Sequence, residues 1–189
     1  MTEIIGFSGS FSDPSKTRAL VERATQWTAA LCERRSAVLD LADLGQGLGA
    51  ARKLSDLPPQ ARGTVDLLLG AEALVIGSPV YKGSYTGLFK HLFDLIEPDA
   101  LKGKPVLLTA TGGGPRHALV IEHQLRPLFG FFEAAIVATG VYAASDDFAD
   151  GVPTAPAVLN RLAEAAAQLA AAVTNPAQAM ARVLAHSAA

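Results

Sequence analysis

The stretch that decides the fold is residues 4–20, IIGFSGSFSDPSKTRAL. It opens on the short apolar run Ile4-Ile5-Gly6-Phe7, bounded by Gly9, which suits a buried strand. From Lys16 the period changes. Leu20, Ala24, Trp27 and Leu31 recur at helical spacing, with Arg23 and Glu33 turned outward. Between strand and helix lie Ser8, Ser10, Ser12, Ser15 and Thr17, together with Gly9 and Arg18. This is one β-α unit joined by a hydroxyl-rich loop.

Working outward, the same unit recurs. Ala37-Val38-Leu39-Asp40-Leu41 reads as a second strand, followed by a Gly-rich segment over 43–59 expected to be an exposed loop. Pro58-Pro59 opens a helix through Leu69, since proline is tolerated in a first turn. Ala73-Leu74-Val75-Ile76 is a third strand, stopped by Gly77-Ser78-Pro79, and Leu88, Leu92, Leu95 and Ile96 mark a helix ended by Pro98. Pro105-Val106-Leu107-Leu108 is a fourth strand, stopped by Thr111-Gly112-Gly113-Gly114-Pro115. A helix over 116–132, a fifth strand Ala135-Ile136-Val137-Ala138 and a last helix carrying Leu159, Leu162, Ala166, Leu169 and Val173 complete the pattern. Continuous apolar strands alternating with helices imply a parallel sheet covered on both faces. Right-handed crossovers leave few topologies. The fold class is α/β: a flavodoxin-like three-layer sandwich with a five-stranded parallel sheet of order 2-1-3-4-5. Residues 1–175 are expected to form one domain, with 176–189 a helical or frayed tail.

Bulk properties narrow the function. The 189 residues suffice to bury a core without staples. Lys and Arg total 16 against 18 Asp and Glu, a net charge of -2, which gives a polyanion nothing to bind and sets nucleic acid aside. A lone cysteine, Cys32, forms no internal disulfide and fits a reducing compartment. The N-terminus carries Glu3 where a signal peptide needs basic residues, and no apolar run approaches the roughly 20 residues of a membrane span. The expectation is a cytoplasmic protein with no membrane partner.

In an open parallel sheet, ligands bind beyond the carboxyl ends of the strands, where the strand order reverses. Three loops should meet there: 8–18, 77–87 and 111–117, all rich in Gly, Ser, Thr or Pro. A loop feeding a helix N-terminus presents unpaired N–H groups and the positive end of the helix dipole, a ready anion site. Ser10, Ser15 and Thr17 add hydroxyl donors and Arg18 a charge-assisted one. Taken singly, Ser12, Asp13 and Ser15 read equally well as turn and N-cap residues. Neither G-x-G-x-x-G nor G-x-x-x-x-G-K-[ST] is present, so a monophosphate such as flavin mononucleotide fits better than a dinucleotide or a nucleoside triphosphate. Gly112-Gly113-Gly114 lets the main chain approach the edge of a flat ring, although alone it is an ordinary flexible turn. His91 and His117 lack the companions of a metal site. Phe89, Phe93, Phe129, Phe131 and Phe132 read as core and subunit interface, and Cys32 as packed far from the loops.

The spacings G-S-x(4)-S-x-T-R-x-L from Gly9, S-P-V-Y-K-G-S-Y-T-G-x-x-K from Ser78 and A-T-G-G-G from Ala110 together resemble the NADPH-dependent FMN reductase family. Within it they are most similar to the flavin reductases of two-component sulfonate monooxygenase systems. The resemblance runs from the first strand to about Val141 and departs where Phe11-Ser12 replaces the family's G-S-x-R arginine. It implies that Ser10, Ser15, Thr17 and Arg18 hold the FMN phosphate. Pro79, Val80, Tyr81 and Lys82 would then line the ribityl chain and one ring face, and Thr111, Gly112 and Gly113 would address the pyrimidine edge. It also implies a π-bulge in the fourth helix, at a tetramer interface. Aligning HALVIEHQLRPLF puts His123 at the inserted position, as in methanesulfonate-type members; alkanesulfonate-type members carry Tyr. His123 could then modulate flavin handling, since π-bulges cluster at functional sites; a lone histidine in an apolar helix is more often a surface or interface residue.

The activity implied is hydride transfer from NADH or NADPH to FMN, with reduced flavin released to an FMNH2-dependent monooxygenase. No general acid or base is required, and none is named. A homodimer or homotetramer is implied as well. The alternatives are an FMN-retaining quinone, azo or chromate reductase, a flavodoxin-like electron carrier without a pyridine-nucleotide site, and a phosphosugar or nucleotide binding module.

Overall fold

In the computed structural model, which describes residues 3–175, strands β1 (Glu3–Ser8), β2 (Arg35–Asp40), β3 (Ala73–Pro79), β4 (Pro105–Gly112) and β5 (Ala135–Ile136) pair in the order β2-β1-β3-β4-β5. Every pairing in this sheet is parallel. Helices α1 (Lys16–Cys32), α2 (Pro59–Gly70), α3 (Gly87–Asp94), α4 (Arg126–Phe131) and α5 (Pro156–Thr174) alternate with the strands. The order is the flavodoxin-like one expected for five successive β-α units. The tail expected over 176–189 lies outside the described residues.

Strand alternation splits the core in two. Ile5, Phe7, Leu74, Ile76, Val106 and Leu108 meet α2, α3 and α4 on one face. Ile4, Val75 and Leu107 meet α1 and α5 on the other. The phenylalanines read as core are core: Phe89 and Phe93 stand 4.8 Å apart, and Phe93 meets Phe129 edge-on at 4.9 Å. Phe131, 67% exposed, lies outside the core. Cys32 is buried at the end of α1. The N-terminus of α1 is fixed by Ser15, whose Oγ accepts the Arg18 N–H at 3.1 Å. That cap holds the first turn at the carboxyl end of the sheet, where a ligand would meet it.

Three local expectations are corrected. The 43–59 segment is mostly exposed but is not a loose loop: it folds into short 3-10 turns that bury Leu44, Leu48, Ala51 and Leu57 over α2 and α3. The fifth strand does not run through 135–138 but is broken. β5 pairs with the start of β4, and β6 (Val141–Ala144) with its end. Side chains hold the gap open. Arg126 donates to the Val137 and Ala138 carbonyls, Arg161 to Gly140 O at 2.7 Å, and Gln168 Oε1 accepts the Thr139 N–H at 2.9 Å. The helix expected over 116–132 is composite. A 3-10 turn at Pro115–His117 precedes a π-helix at Ile121–Leu125 and then α4, and the Arg126 N–H reaches Ile121 O, five residues back. His123 thus stands within a π-turn. A small antiparallel hairpin, β7 (Phe148–Ala149) with β8 (Val152–Pro153), was not anticipated.

Candidate functional site

β1 lies between β2 and β3, so the strand order reverses at β1/β3, and a cleft of about 330 Å3 opens there. Its walls come from all three loops and from the top of β6. They are Ser10, Ser12, Pro14, Ser15, Lys16 and Thr17; Pro79, Val80 and Tyr81; Thr111, Gly112 and Gly113; and Ala143, Ala144, Ser145 and Phe148. A larger groove of about 570 Å3 lies between the C-terminal ends of α3 and α4, lined by residues such as Phe93, Ile96, Leu128 and Phe131. Both helices run against the strands, so that groove sits toward the amino end of the sheet, away from the strand-order reversal. The smaller cleft is the one the topology makes a binding site.

The loops are tied to one another beneath the cleft. Thr17 Oγ1 and Thr111 Oγ1 share a buried hydrogen bond of 2.6 Å. Gly9 N–H donates to Gly77 O at 2.7 Å, Thr86 Oγ1 to Gly9 O at 2.8 Å, and Val80 N–H to Thr111 O at 2.7 Å. Ser10 Oγ accepts the Ser12 N–H at 3.1 Å as Ser15 Oγ accepts that of Arg18, so both hydroxyls keep their protons free to donate to an anion. The Tyr81–Ser84 hairpin is closed by reciprocal bonds of 2.9 and 3.2 Å, with Lys82 and Gly83 both at positive φ. Positive φ at both central residues is the type I′ pattern, whose twist matches the segments it joins.

Of the eleven residues singled out for ligand contact, nine line the cleft: Ser10, Ser15, Thr17, Pro79, Val80, Tyr81, Thr111, Gly112 and Gly113. Two do not. Arg18 points to the end of β2, its Nη1 2.5 Å from Asp40 Oδ2 and its Nη2 3.3 Å from Val38 O. Position 18 follows the N-cap by three residues, and that step around the helix faces the neighbouring strand. Lys82 is exposed at the hairpin tip. His123, exposed on the π-helix, is not a lining residue either.

The charge placed in the cleft is Lys16, which sequence reasoning passed over. It starts α1 and is the one cation lining the cleft among the described residues; no carboxylate lines it. Its Nζ donates to Ser145 O at 3.2 Å and lies 5.6 Å from the Phe148 ring centroid. A usable signal was its position one residue after the N-cap. The β6 residues were missed because the fifth strand was ended too early.

Another wall of the cleft is glycine. At Gly112 a Cβ would lie 2.4 Å from Tyr142 OH, so a side chain there would have to displace the phenol. At Gly113 a Cβ would stand in open space and φ is ordinary, so nothing in the protein demands glycine there. A flat ring brought against the main chain would. The Gly113 N–H meets no protein acceptor among the described residues, leaving a donor for a ring carbonyl. Tyr142 OH donates to Gly114 O at 2.6 Å, and burial pushes this phenol above its ordinary value, keeping it protonated. A donor-lined wall with one cation, next to a glycine main-chain edge, fits a flat, singly phosphorylated ring system. Among the described residues no helix is long and apolar enough to cross a membrane.

Known proteins agree. The chain is 44% identical over 148 residues to a Pseudomonas fluorescens protein named NADH-dependent FMN reductase SfnF, covering 78% of this chain and 79% of that one. It is 44% identical over 146 residues to a Pseudomonas aeruginosa protein named FMN reductase (NADPH), covering 77% and 78%. The crystal structure of an oxidoreductase from Corynebacterium diphtheriae superposes with a TM-score of 0.78 at 33% identity, covering 93% of this chain and 98% of that one. Residues 2–149 match the model of the NADPH-dependent FMN reductases, and the chain belongs to that family.

Proposed function

We propose that the cleft at the β1/β3 crossover binds FMN, and that the chain reduces it with NADH or NADPH and releases it to an FMNH2-dependent monooxygenase, in a sulfonate-sulfur pathway. The observation that carries this reading is the lining of the cleft: one cation, the hydroxyl-bearing Ser10, Ser15 and Thr17 and the first turn of α1 together with a glycine main-chain edge, and no carboxylate among the described residues. In this assignment the phosphate meets Lys16, the Ser10, Ser15 and Thr17 hydroxyls and the first-turn amides of α1. Pro79, Val80 and Tyr81 lie along the ribityl chain and one ring face, and Thr111, Gly112 and Gly113 meet the pyrimidine edge. Arg18 serves indirectly, by bonding Asp40 beside the loop.

Bound flavin supplies the hydride-accepting N5; the chain contributes placement. Its loops are cross-tied before any ligand arrives, so the ring position is fixed at little cost in ordering. Tyr81, half-exposed at the rim, leaves one side of the cleft accessible to a nicotinamide and later to departure of the product. A cytoplasmic homodimer or homotetramer is part of the proposal, with Phe131 exposed beside the π-helix as a contact residue.

The test is to follow nicotinamide absorbance with purified protein and each dinucleotide, with and without free FMN. Oxidation that depends on added FMN supports the reading. Oxidation driven instead by a quinone or azo acceptor through flavin that never leaves the protein contradicts release to a second enzyme, and no oxidation with either dinucleotide contradicts the reading altogether.

A further inference from the structure

Three successive glycines do not aim their own amides. In Thr111-Gly112-Gly113-Gly114 the carbonyls are tied down by other groups instead. Thr111 O accepts the Val80 N–H at 2.7 Å, Ser145 Oγ approaches Gly112 O at 3.5 Å, and Tyr142 OH donates to Gly114 O at 2.6 Å. Tyr142 is the strongest of these ties and comes from outside the three loops. It stands on β6, opposite Ala110 in the parallel register, and its phenol passes over Gly112 to reach Gly114. β6 exists in this place because the fifth strand is broken and resumes at Val141.

We propose that Tyr142 is a positioning residue for flavin: its hydroxyl, held on Gly114 O above the side-chain-free Gly112, turns the Gly112–Gly113 main chain toward the ring edge. The inference rests on the assignment of FMN to this cleft and adds a residue to it. The bond fixes one end of the glycine run and Thr17 fixes the other through Thr111, so one buried and one part-buried hydroxyl bond substitute for the stiffness that glycine lacks. A bent or swung loop would still bind phosphate at the α1 end while losing the ring-edge contacts. Loss of Tyr142 therefore weakens FMN and riboflavin alike, whereas loss of Lys16 weakens FMN alone.

The experiment titrates FMN and riboflavin by fluorescence quenching against the full chain, as wild type, Tyr142→Phe, Gly112→Ala and the double variant, with melting of the flavin-free proteins measured alongside. Tyr142→Phe removes one hydroxyl and keeps the ring. Loss of that bond should raise the dissociation constants of both flavins about five- to tenfold and leave their ratio unchanged. Gly112→Ala puts a methyl 2.4 Å from the phenol oxygen and should produce the same loss. In the Phe background its added effect should shrink, because the nearest remaining ring atom is 3.3 Å away. Affinities within about twofold of wild type in Tyr142→Phe overturn the inference, whether or not melting falls, because a merely structural hydroxyl changes melting alone. A loss confined to FMN, or additive effects in the double variant, overturns it too. A wild-type chain that quenches neither flavin overturns the assignment of the cleft itself, and this inference with it.

Discussion

Thr17 and Thr111, 94 positions apart in the chain, meet through a 2.6 Å hydroxyl–hydroxyl bond buried under the cleft. The bond joins the first turn of α1 to the last residues of β4, two elements that both line the cleft. Truncating either partner strands the other. Thr17→Val or Thr111→Val alone should cost about 1–3 kcal/mol by urea denaturation, and the double variant clearly less than the sum. Strict additivity would mean the two hydroxyls are not partners.

Lys16 and Arg18 separate the two candidate phosphate cations. Lys16→Met keeps the aliphatic stem against Phe148 and should weaken FMN about tenfold or more while sparing riboflavin. Arg18→Ala should change FMN binding less, since its guanidinium is already engaged by Asp40 and Val38 O. The reverse ranking would return the phosphate to Arg18, where the sequence pattern had put it.

Gly9 is fixed by packing. A Cβ there would meet Phe89 Cδ2 at 2.6 Å, and Phe89 is fully buried among aromatic neighbours and cannot swing aside. Gly9→Ala should lower stability by about 1–3 kcal/mol in denaturant. An unchanged midpoint would show that the β1 loop and α3 are not in register as described.

Glu122 gives a pH signature for the π-helix. The hydrogen bond from the Arg126 guanidinium holds its carboxyl below the usual carboxylate range. Its folded value therefore lies under its unfolded one, and the pair's stabilisation is present above the ordinary carboxylate value and lost as pH falls through the folded one. Glu122→Gln should melt lower than wild type near neutrality, and the gap should close in acid. A pH-independent gap would assign the difference to packing.

The five β-α units were legible because buried parallel strands leave unbroken apolar runs, as at Ile4–Phe7 and Ala73–Ile76. The glycine and serine punctuation after each run located the cleft. The broken fifth strand was not legible. Ala135–Ala138 is apolar enough to be a strand, and what interrupts it is Arg126, Arg161 and Gln168 reaching in from distant helices. The 43–59 segment misled for a related reason: its glycines read as loop, whereas Leu44, Leu48 and Leu57 are spaced by no regular period yet all turn inward. Arg18 resembled a phosphate ligand by spacing, and only the helical rotation set by the Ser15 cap shows that it faces Asp40.

The central claim is tested most directly by backbone hydrogen exchange of the full chain with and without saturating FMN. The account predicts slowed exchange in 9–18, 79–84 and 111–114, with the α3/α4 groove around Phe93–Pro98 and Leu128–Phe132 unchanged. Protection at that groove, or none in the three loops, would contradict it.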